Sequence, residues 1–430
     1  MAAEHRSEGR PEDRSEPHRT DPQRAIPTVL SLTKYIPYPS VTHAGGEYVL
    51  AHDRALLRFA QVENLSPDTP INREALTRLV GGPPASLLEA ARPRLRGAWL
   101  AWFRLESVWA GSSVYWPVRR LFRGDRAPWG RLERATLIEF QWSEMFALAP
   151  LVRRRVPGTP LIGIAHDVMT QRWQRMGEQG GSAIRRLLTW IAGARCRRRE
   201  AATFRALDLL IVFSEKDARL ARELAPATRI EVVHPGLGPT DPLPRAPRTE
   251  EPMVLFTGAM NRPENQDAVT WFLDEMWPRV LDAVPTARFT VAGANPPAEL
   301  RAKVERTPRA ELTGFVESLE PWYAEASVFV VPLRTGAGVK FKTVDAMLRG
   351  VPTVTTSVGA EGIGGAEEDA AGLFAAVTDE AGSFAEAVVG QLRAPDVKLA
   401  ERTQRWADGV YGVEAFERRI RDLYGEFLTA

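Results

Sequence analysis

Short apolar runs, each closed by a polar or glycine turn and separated by longer amphipathic stretches, constrain this chain more than any other feature. In the first half they lie at 28–33, 136–140, 160–165, 209–213 and 230–233. In the second half they lie at 253–257, 288–292, 328–332 and 351–355. Runs this short and this continuously apolar suit strands buried on both faces, and helix-length spacers between them predict parallel sheets covered by helices. The fold class expected is therefore α/β with two Rossmann-like domains.

The boundary between them falls at 238–251, a stretch with four prolines that reads as a linker. Residues 1–25 are charged and hold no apolar run, so they read as a disordered tail and not a signal peptide. The division expected is 26–237 for a first, acceptor-side domain and 252–405 for a second. A C-terminal helix at 406–430 is expected to pack back on the first domain. The segments 66–80 and 111–131 read as loops of the acceptor side.

Charge is split along the chain. Residues 1–250 carry 38 Lys+Arg against 27 Asp+Glu, whereas 251–430 carry 18 against 27. A basic first half fits either a solvated surface or a face turned to an anionic membrane or a phosphate-bearing acceptor. No apolar run approaches the ~18–20 residues that cross a bilayer. The single cysteine, Cys196, excludes a disulfide framework and a Cys-based zinc site, and points to the cytoplasm. Arginine runs at 153–155 and 197–199 read as a solvated helix face or a membrane-facing one. No nucleic-acid-binding module is present.

Only six lysines occur, and two of them, Lys340 and Lys342, stand two apart. They follow a glycine loop, Gly336 and Gly338, that leads from an apolar run straight into a helix. Free amides at such a helix start, with its dipole, make an anion site, and glycines admit close approach of a phosphate. Asp345, one turn later, could accept hydrogen bonds from sugar hydroxyls. The same residues also fit an ordinary turn in which Lys342 and Asp345 pair on a helix surface. The spacing is not that of a Walker loop, and no Gly-x-Gly-x-x-Gly follows the first strand as a dinucleotide-binding dehydrogenase needs.

The run Phe-Thr-Gly-Ala-Met-Asn-Arg-Pro-Glu-Asn at 256–265, then Trp271-Phe272, Trp277-Pro278, Thr-Val-Ala-Gly at 290–293, Thr-Gly-Phe-Val at 313–316 and the stretch 330–352 together resemble the donor domain of family 4 glycosyltransferases. That family has the two-domain fold called GT-B. It transfers a sugar from a nucleoside diphosphate sugar with retention and needs no metal or other cofactor. The resemblance implies that Lys342 contacts the diphosphate, with Lys340 at a position often basic in one branch. It implies that Arg262 neutralises the phosphates and that Asp345 holds the ribose hydroxyls. Gly45 and Gly46 resemble the family's glycine turn, and His166 resembles the cleft histidine near the donor sugar. His43 competes for that role, while His234 reads as structural and His52 as uninvolved.

The chain departs from the family at three places. Asp345 replaces a glutamate and is one methylene shorter. Ala337 stands where an earlier glutamate is usual, and residues 264–266 stand where a lysine is usual. The resemblance thus implies a hexosyltransferase-like enzyme with a glycan, lipid-linked or small-molecule acceptor. The alternatives are a nucleotide-sugar-binding pseudo-enzyme and a sugar-nucleotide epimerase of the same fold, the latter needing clustered carboxylates and histidines that the sequence does not show.

Overall fold

The computed structural model describes residues 26–38, 44–89, 116–166, 168–170, 173, 183–238, 244–246, 249–336, 339–364 and 371–428. The 1–25 stretch, His43, Ala337, Gly338 and parts of the 238–251 segment and the 111–131 loop lie outside these residues.

Two all-parallel sheets organise the chain. The first joins β1 (Thr28–Thr33), β2 (Gln61–Pro67), β3 (Ala85–Leu88), β4 (Leu137–Gln141), β5 (Leu161–Ala165), β6 (Leu209–Val212) and β7 (Arg229–Val232) in the order β3-β2-β1-β4-β5-β6-β7. The second joins β8 (Met253–Thr257), β9 (Arg288–Ala292), β10 (Ala310–Gly314), β11 (Ala326–Val331), β12 (Thr353–Thr355) and β13 (Ala376–Val377) in the order β10-β9-β8-β11-β12-β13. Strand order reverses between β1 and β4 in one sheet and between β8 and β11 in the other. A crevice opens at the carboxyl ends of strands where the order reverses, and it is there that open α/β sheets bind ligands.

Apolar runs explain most strands: β4, β5, β6 and β8 are buried at every position. The segment 66–80, expected to be a loop, is instead the end of β2 followed by a helix, Pro70–Arg78. Thr69 caps that helix, its hydroxyl accepting from the Asn72 amide at 3.2 Å. The buried Asn72 side chain then donates to the Lys34 and Pro67 carbonyls and accepts from the Ile36 amide, fixing the chain beyond β1. The 111–131 stretch likewise carries helices at Trp116–Leu121 and Trp129–Leu132.

The helix that follows β8 is long and irregular. It runs as Pro263–Trp271, a π-helical turn Phe272–Met276, and Trp277–Ala283. Pro278 lacks an amide and crowds the preceding turn, and the wider π turn before it relieves both problems.

The C-terminal stretch is two helices that break at Gly412, later than the boundary expected at 406. Helix Val397–Tyr411 packs on helix Phe341–Leu348 of the second domain, burying Ala407, Tyr411, Met347 and Leu348 together. Helix Val413–Leu428 carries Phe416, Ile420, Leu423 and Tyr424 into a core shared with Val29, Tyr48, Val49 and Leu56. Burying a Phe, Ile or Leu side chain stabilises by roughly 1.5–3 kcal/mol, so this helix is part of the first domain's core. Both crossings between the domains run side by side, with the Leu237 amide donating to the Tyr411 carbonyl at 2.7 Å.

Candidate active site

Among the described residues singled out in the sequence, Arg262, Gly336, Lys340, Lys342 and Asp345 follow β8 and β11, and Gly45, Gly46 and His166 follow β1 and β5. On the second domain, β8 leads into Gly258 and β9 into Gly293. A Cβ on Gly293 would lie 1.7 Å from the Gly258 carbonyl oxygen. A Cβ on Gly258 would lie 2.6 Å from Lys342 Nζ. Glycine at both positions lets the strand ends close up around the Lys342 ammonium.

Lys342 lies in the first turn of helix Phe341–Leu348, whose buried face is Thr343, Val344, Ala346, Met347 and Leu348. That face locks the helix between the sheet, through Ala346, and helix Val397–Tyr411, through Val344, Met347 and Leu348. Lys342 Nζ donates to Asn265 Oδ1 at 2.7 Å and sits 4.1 Å from the centroid of the Phe256 ring. Burial lowers its pKa to about 7, and the neighbouring Arg262 and Lys340 cations push the same way against Glu264. A lysine with this few compensating charges favours an incoming anion, which would restore its proton.

Lys340 supplies the second cation. Its Nζ is 3.5 Å from Glu361 Oε2, and Glu361 Oε1 accepts from Lys216 Nζ of the first domain at 2.9 Å. Burial alone would raise the Glu361 carboxyl, yet Lys216 and Lys340 hold it below the usual carboxylate range. Gly336, at φ +132°, turns the preceding loop so that its Cβ position faces the Lys340 side chain. Arg262 is exposed at the start of helix Pro263–Trp271 and makes no ion pair among the described residues.

Asp345 lies deeper on the same helix. Its Oδ1 accepts from Arg349 Nη1 at 3.3 Å, and Arg349 also holds Glu320 and lies 4.6 Å over the Tyr323 ring. Burial pushes the Asp345 carboxyl up to about 6, with Arg349 opposing and Glu320 and Glu47 adding to the rise. Glu47 belongs to the first domain's helix Ala44–Leu57, so the two crevices face one another here.

On the first domain, Gly45 and Gly46 open helix Ala44–Leu57. A Cβ on Gly45 would meet Trp142 Nε1 at 3.2 Å and His166 Nδ1 at 3.3 Å. Trp142 follows β4 with φ +68°, a left-handed conformation that costs a bulky residue about 1 kcal/mol or more. That turn lays its ring on His166, with centroids 4.5 Å apart and planes 12° apart. Tyr48 and Phe213 close on His166 edge-on at 5.3 and 5.2 Å. His166 Nε2 is 3.4 Å from Gln141 Oε1, while Gln141 Nε2 donates to Glu139 Oε1 at 3.2 Å. Glu139 in turn takes the His52 imidazole at 3.0 Å and the Tyr424 hydroxyl at 2.5 Å. The buried network thus runs from the C-terminal helix to the ring of His166.

Sequence reasoning overlooked Lys216, Glu361, Asn265, Trp142 and Gln141. The scarcity of lysine was the one signal that marked Lys216; the others depend on long-range contacts or on a backbone torsion. His234 lies apart, its Nδ1 on the Phe213 carbonyl at 3.1 Å. Among the described residues no group of three or more His, Cys, Asp or Glu side chains could hold a metal, and no helix is long and apolar enough to cross a membrane.

Residues 251–393 match a family model described as Glycosyl transferases group 1. A stretch of 118 residues is 32% identical to an uncharacterized 44.6 kDa protein in the cps region of Klebsiella pneumoniae, covering 26% of this chain and 30% of that protein. Among solved structures, TarM is similar with a TM-score of 0.60 at 8% identity, over 94% of this chain and 99% of that one. HepE of Anabaena in complex with UDP is similar with a TM-score of 0.59 at 12% identity, over 93% and 100%. HepE has also been solved in complex with UDP-glucose, with a TM-score of 0.55 at 13% identity, over 93% and 99%. Likeness at these identities establishes the fold, and the fold is GT-B.

Proposed function

We propose that the protein is a glycosyltransferase of the family 4 type, moving a sugar, a hexose by preference, from a nucleoside diphosphate sugar to an acceptor with retention of configuration and without metal. One observation carries this reading: the Lys342 ammonium, drawn out of water at a helix start, has Lys340 and Arg262 beside it. Three cations and the free amides of the helix suit a diphosphate. The match to group 1 glycosyl transferases spans these residues, and HepE, of the same fold, binds UDP and UDP-glucose.

In this reading the bond from the sugar C1 to the diphosphate oxygen breaks and its electron pair stays on the phosphate. The acceptor hydroxyl oxygen bonds C1 from the same face, and its proton passes to the departing phosphate. Lys340, Lys342 and Arg262 stabilise the negative charge that develops there. Asp345 receives the ribose hydroxyls, with Arg349 setting its orientation. His166, clamped by Trp142, Tyr48 and Phe213, positions the sugar. The Gly45–Gly46 turn brings main-chain amides toward the phosphates from the first domain.

The experiment is a panel of UDP-, GDP- and dTDP-sugars carrying a labelled sugar, incubated with the full chain, with label transfer and free nucleotide both read. Release or transfer from one of them, lost in Lys340→Ala/Lys342→Ala, is the result expected. Binding without turnover across the panel would leave a nucleotide-sugar-binding protein, and conversion of the sugar without its release would mark an epimerase.

A further inference from the structure

The buried hydrogen bonds that end on His166 run in one direction, and a carboxylate sets it. Glu139 and Gln141 stand two apart on β4, so their side chains leave the same face of the strand. Helix Ala44–Leu57 brings His52 to that face, and helix Val413–Leu428 brings Tyr424. All four side chains are fully buried. The Tyr424 hydroxyl donates to Glu139 Oε2 at 2.5 Å, and the same oxygen lies 3.0 Å from His52 Nε2. Burial alone would raise the Glu139 carboxyl, yet the His52 ring and the hydrogen bonds from His52 and Tyr424 hold it below the usual carboxylate range. Glu139 is therefore ionised, and an ionised carboxylate accepts hydrogen bonds and donates none.

That charge decides the Gln141 amide. Gln141 Nε2 lies 3.2 Å from Glu139 Oε1, where a carbonyl oxygen would be repelled. The Gln141 carbonyl oxygen then points the other way, 3.4 Å from His166 Nε2. Because that oxygen only accepts, the neutral His166 ring carries its hydrogen on Nε2 and keeps the lone pair on Nδ1. Nδ1 lies against the start of helix Ala44–Leu57, where a Cβ on Gly45 would meet it at 3.3 Å. With the amide reversed, the hydrogen would move to Nδ1, and the ring would offer a donor there in place of an acceptor. Burying a carboxylate costs several kcal/mol of desolvation, so a core that needed only packing would be served as well by an apolar side chain.

We propose that Glu139 is a positioning residue for the transfer: through Gln141 it holds His166 with its hydrogen on Nε2, so that Nδ1 is the acceptor the ring presents at the start of helix Ala44–Leu57. The effect on turnover rests on the transferase reading above, whereas the position of the hydrogen does not.

The test is nitrogen NMR of the full chain labelled at its histidine rings, without substrate and at a pH where the ring is neutral. Such spectra distinguish a ring nitrogen that carries hydrogen from a bare one, and the His166 signals are identified by their loss in His166→Ala. The native chain should show hydrogen on Nε2. Glu139→Gln keeps the shape but lets either end of the new amide face Gln141. It should give a mixture of the two ring forms and lower turnover about tenfold, with UDP affinity within about twofold. The exchange Glu139→Gln/Gln141→Glu moves the carboxylate beside the ring and should restore both the Nε2 hydrogen and most of the turnover, a rescue that a merely structural Glu139 would not give. Should Glu139→Gln fail to fold, the native spectrum and the exchange still decide. Hydrogen on Nδ1 in the native chain, or a ring form indifferent to Glu139→Gln, overturns the proposal. Turnover that ignores a changed ring form, or UDP affinity that falls in step with turnover, overturns it as well. A native chain that turns over no nucleotide sugar would count against the transferase reading and leave the ring assignment standing.

Discussion

Lys342 Nζ donates to Asn265 Oδ1 at 2.7 Å, joining the helices that follow β11 and β8 across the point where the sheet order reverses. The contact neutralises no charge. It places a cation beside the Gly258 strand end with an amide for company, at a cost that a bound anion would offset.

Replacing this lysine separates stability from function. With its pKa near 7 in the fold and about 10.4 in the unfolded chain, Lys342 binds more proton when unfolded, so stability should rise from pH 7 toward pH 10. Lys342→Met should flatten that rise. At pH 7 it should raise the unliganded melting temperature by about 2 °C or more and abolish the further rise that UDP gives the native chain. Thermal scans across pH read both. A lower melting temperature with UDP stabilisation intact would contradict the assignment.

Nucleotide affinity should depend on pH on both flanks. Asp345, pushed up to about 6, loses its charge below that pH and with it the stronger acceptor for ribose hydroxyls. Lys342 loses its charge above about 7, a limit that the bound diphosphate moves upward. UDP affinity should therefore peak near neutrality, and binding at pH 8 should take up a proton, visible in calorimetry across buffers of different ionisation enthalpy. The terminal phosphate of UDP titrates near pH 6 as well. Asp345→Asn should remove only the protein's share of the acid flank.

His166→Ala should lower turnover by about a hundredfold, the scale of a misplaced reacting group, with UDP affinity within about twofold. Gln141→Leu should lower turnover less and in the same pattern, since it frees the ring edge without removing the ring. Steady-state kinetics beside UDP titrations distinguish these outcomes. A loss confined to nucleotide affinity would place His166 outside the reacting centre.

Lys216 is tied to Glu361 across the domain boundary, both side chains about one-third exposed. Such a pair is worth about 1 kcal/mol or less. Lys216→Met should leave UDP affinity unchanged while widening the spread of domain orientations, read as a larger radius of gyration by small-angle scattering. An unchanged scattering curve would show that the paired crossings at Leu237 and Tyr411 fix the orientation without it.

The α/β class was legible because β8, β9 and β11 are short, mostly apolar runs that end at or near glycine or proline, and the fold is the GT-B one that the family resemblance implied. β2 and β3 escaped notice because β2 buries Asn64 and Ser66, which interrupt the apolar signal. The Asn64 side-chain amide donates to Asp53 on the neighbouring helix at 2.9 Å, a contact no local pattern announces. Lys340 and Lys342 stood out because lysine is scarce here. Their neighbours did not: Asn265 lies 77 residues from Lys342, and Glu361 lies 145 from Lys216. Trp142 becomes a platform for His166 through a positive φ, and composition cannot show a torsion.

A crystal structure of the full chain soaked with UDP decides the matter most directly. The diphosphate should lie at the start of helix Phe341–Leu348, within hydrogen-bond distance of Lys340 and Lys342 and with the ribose toward Asp345. UDP bound elsewhere, with that crevice empty, would contradict it.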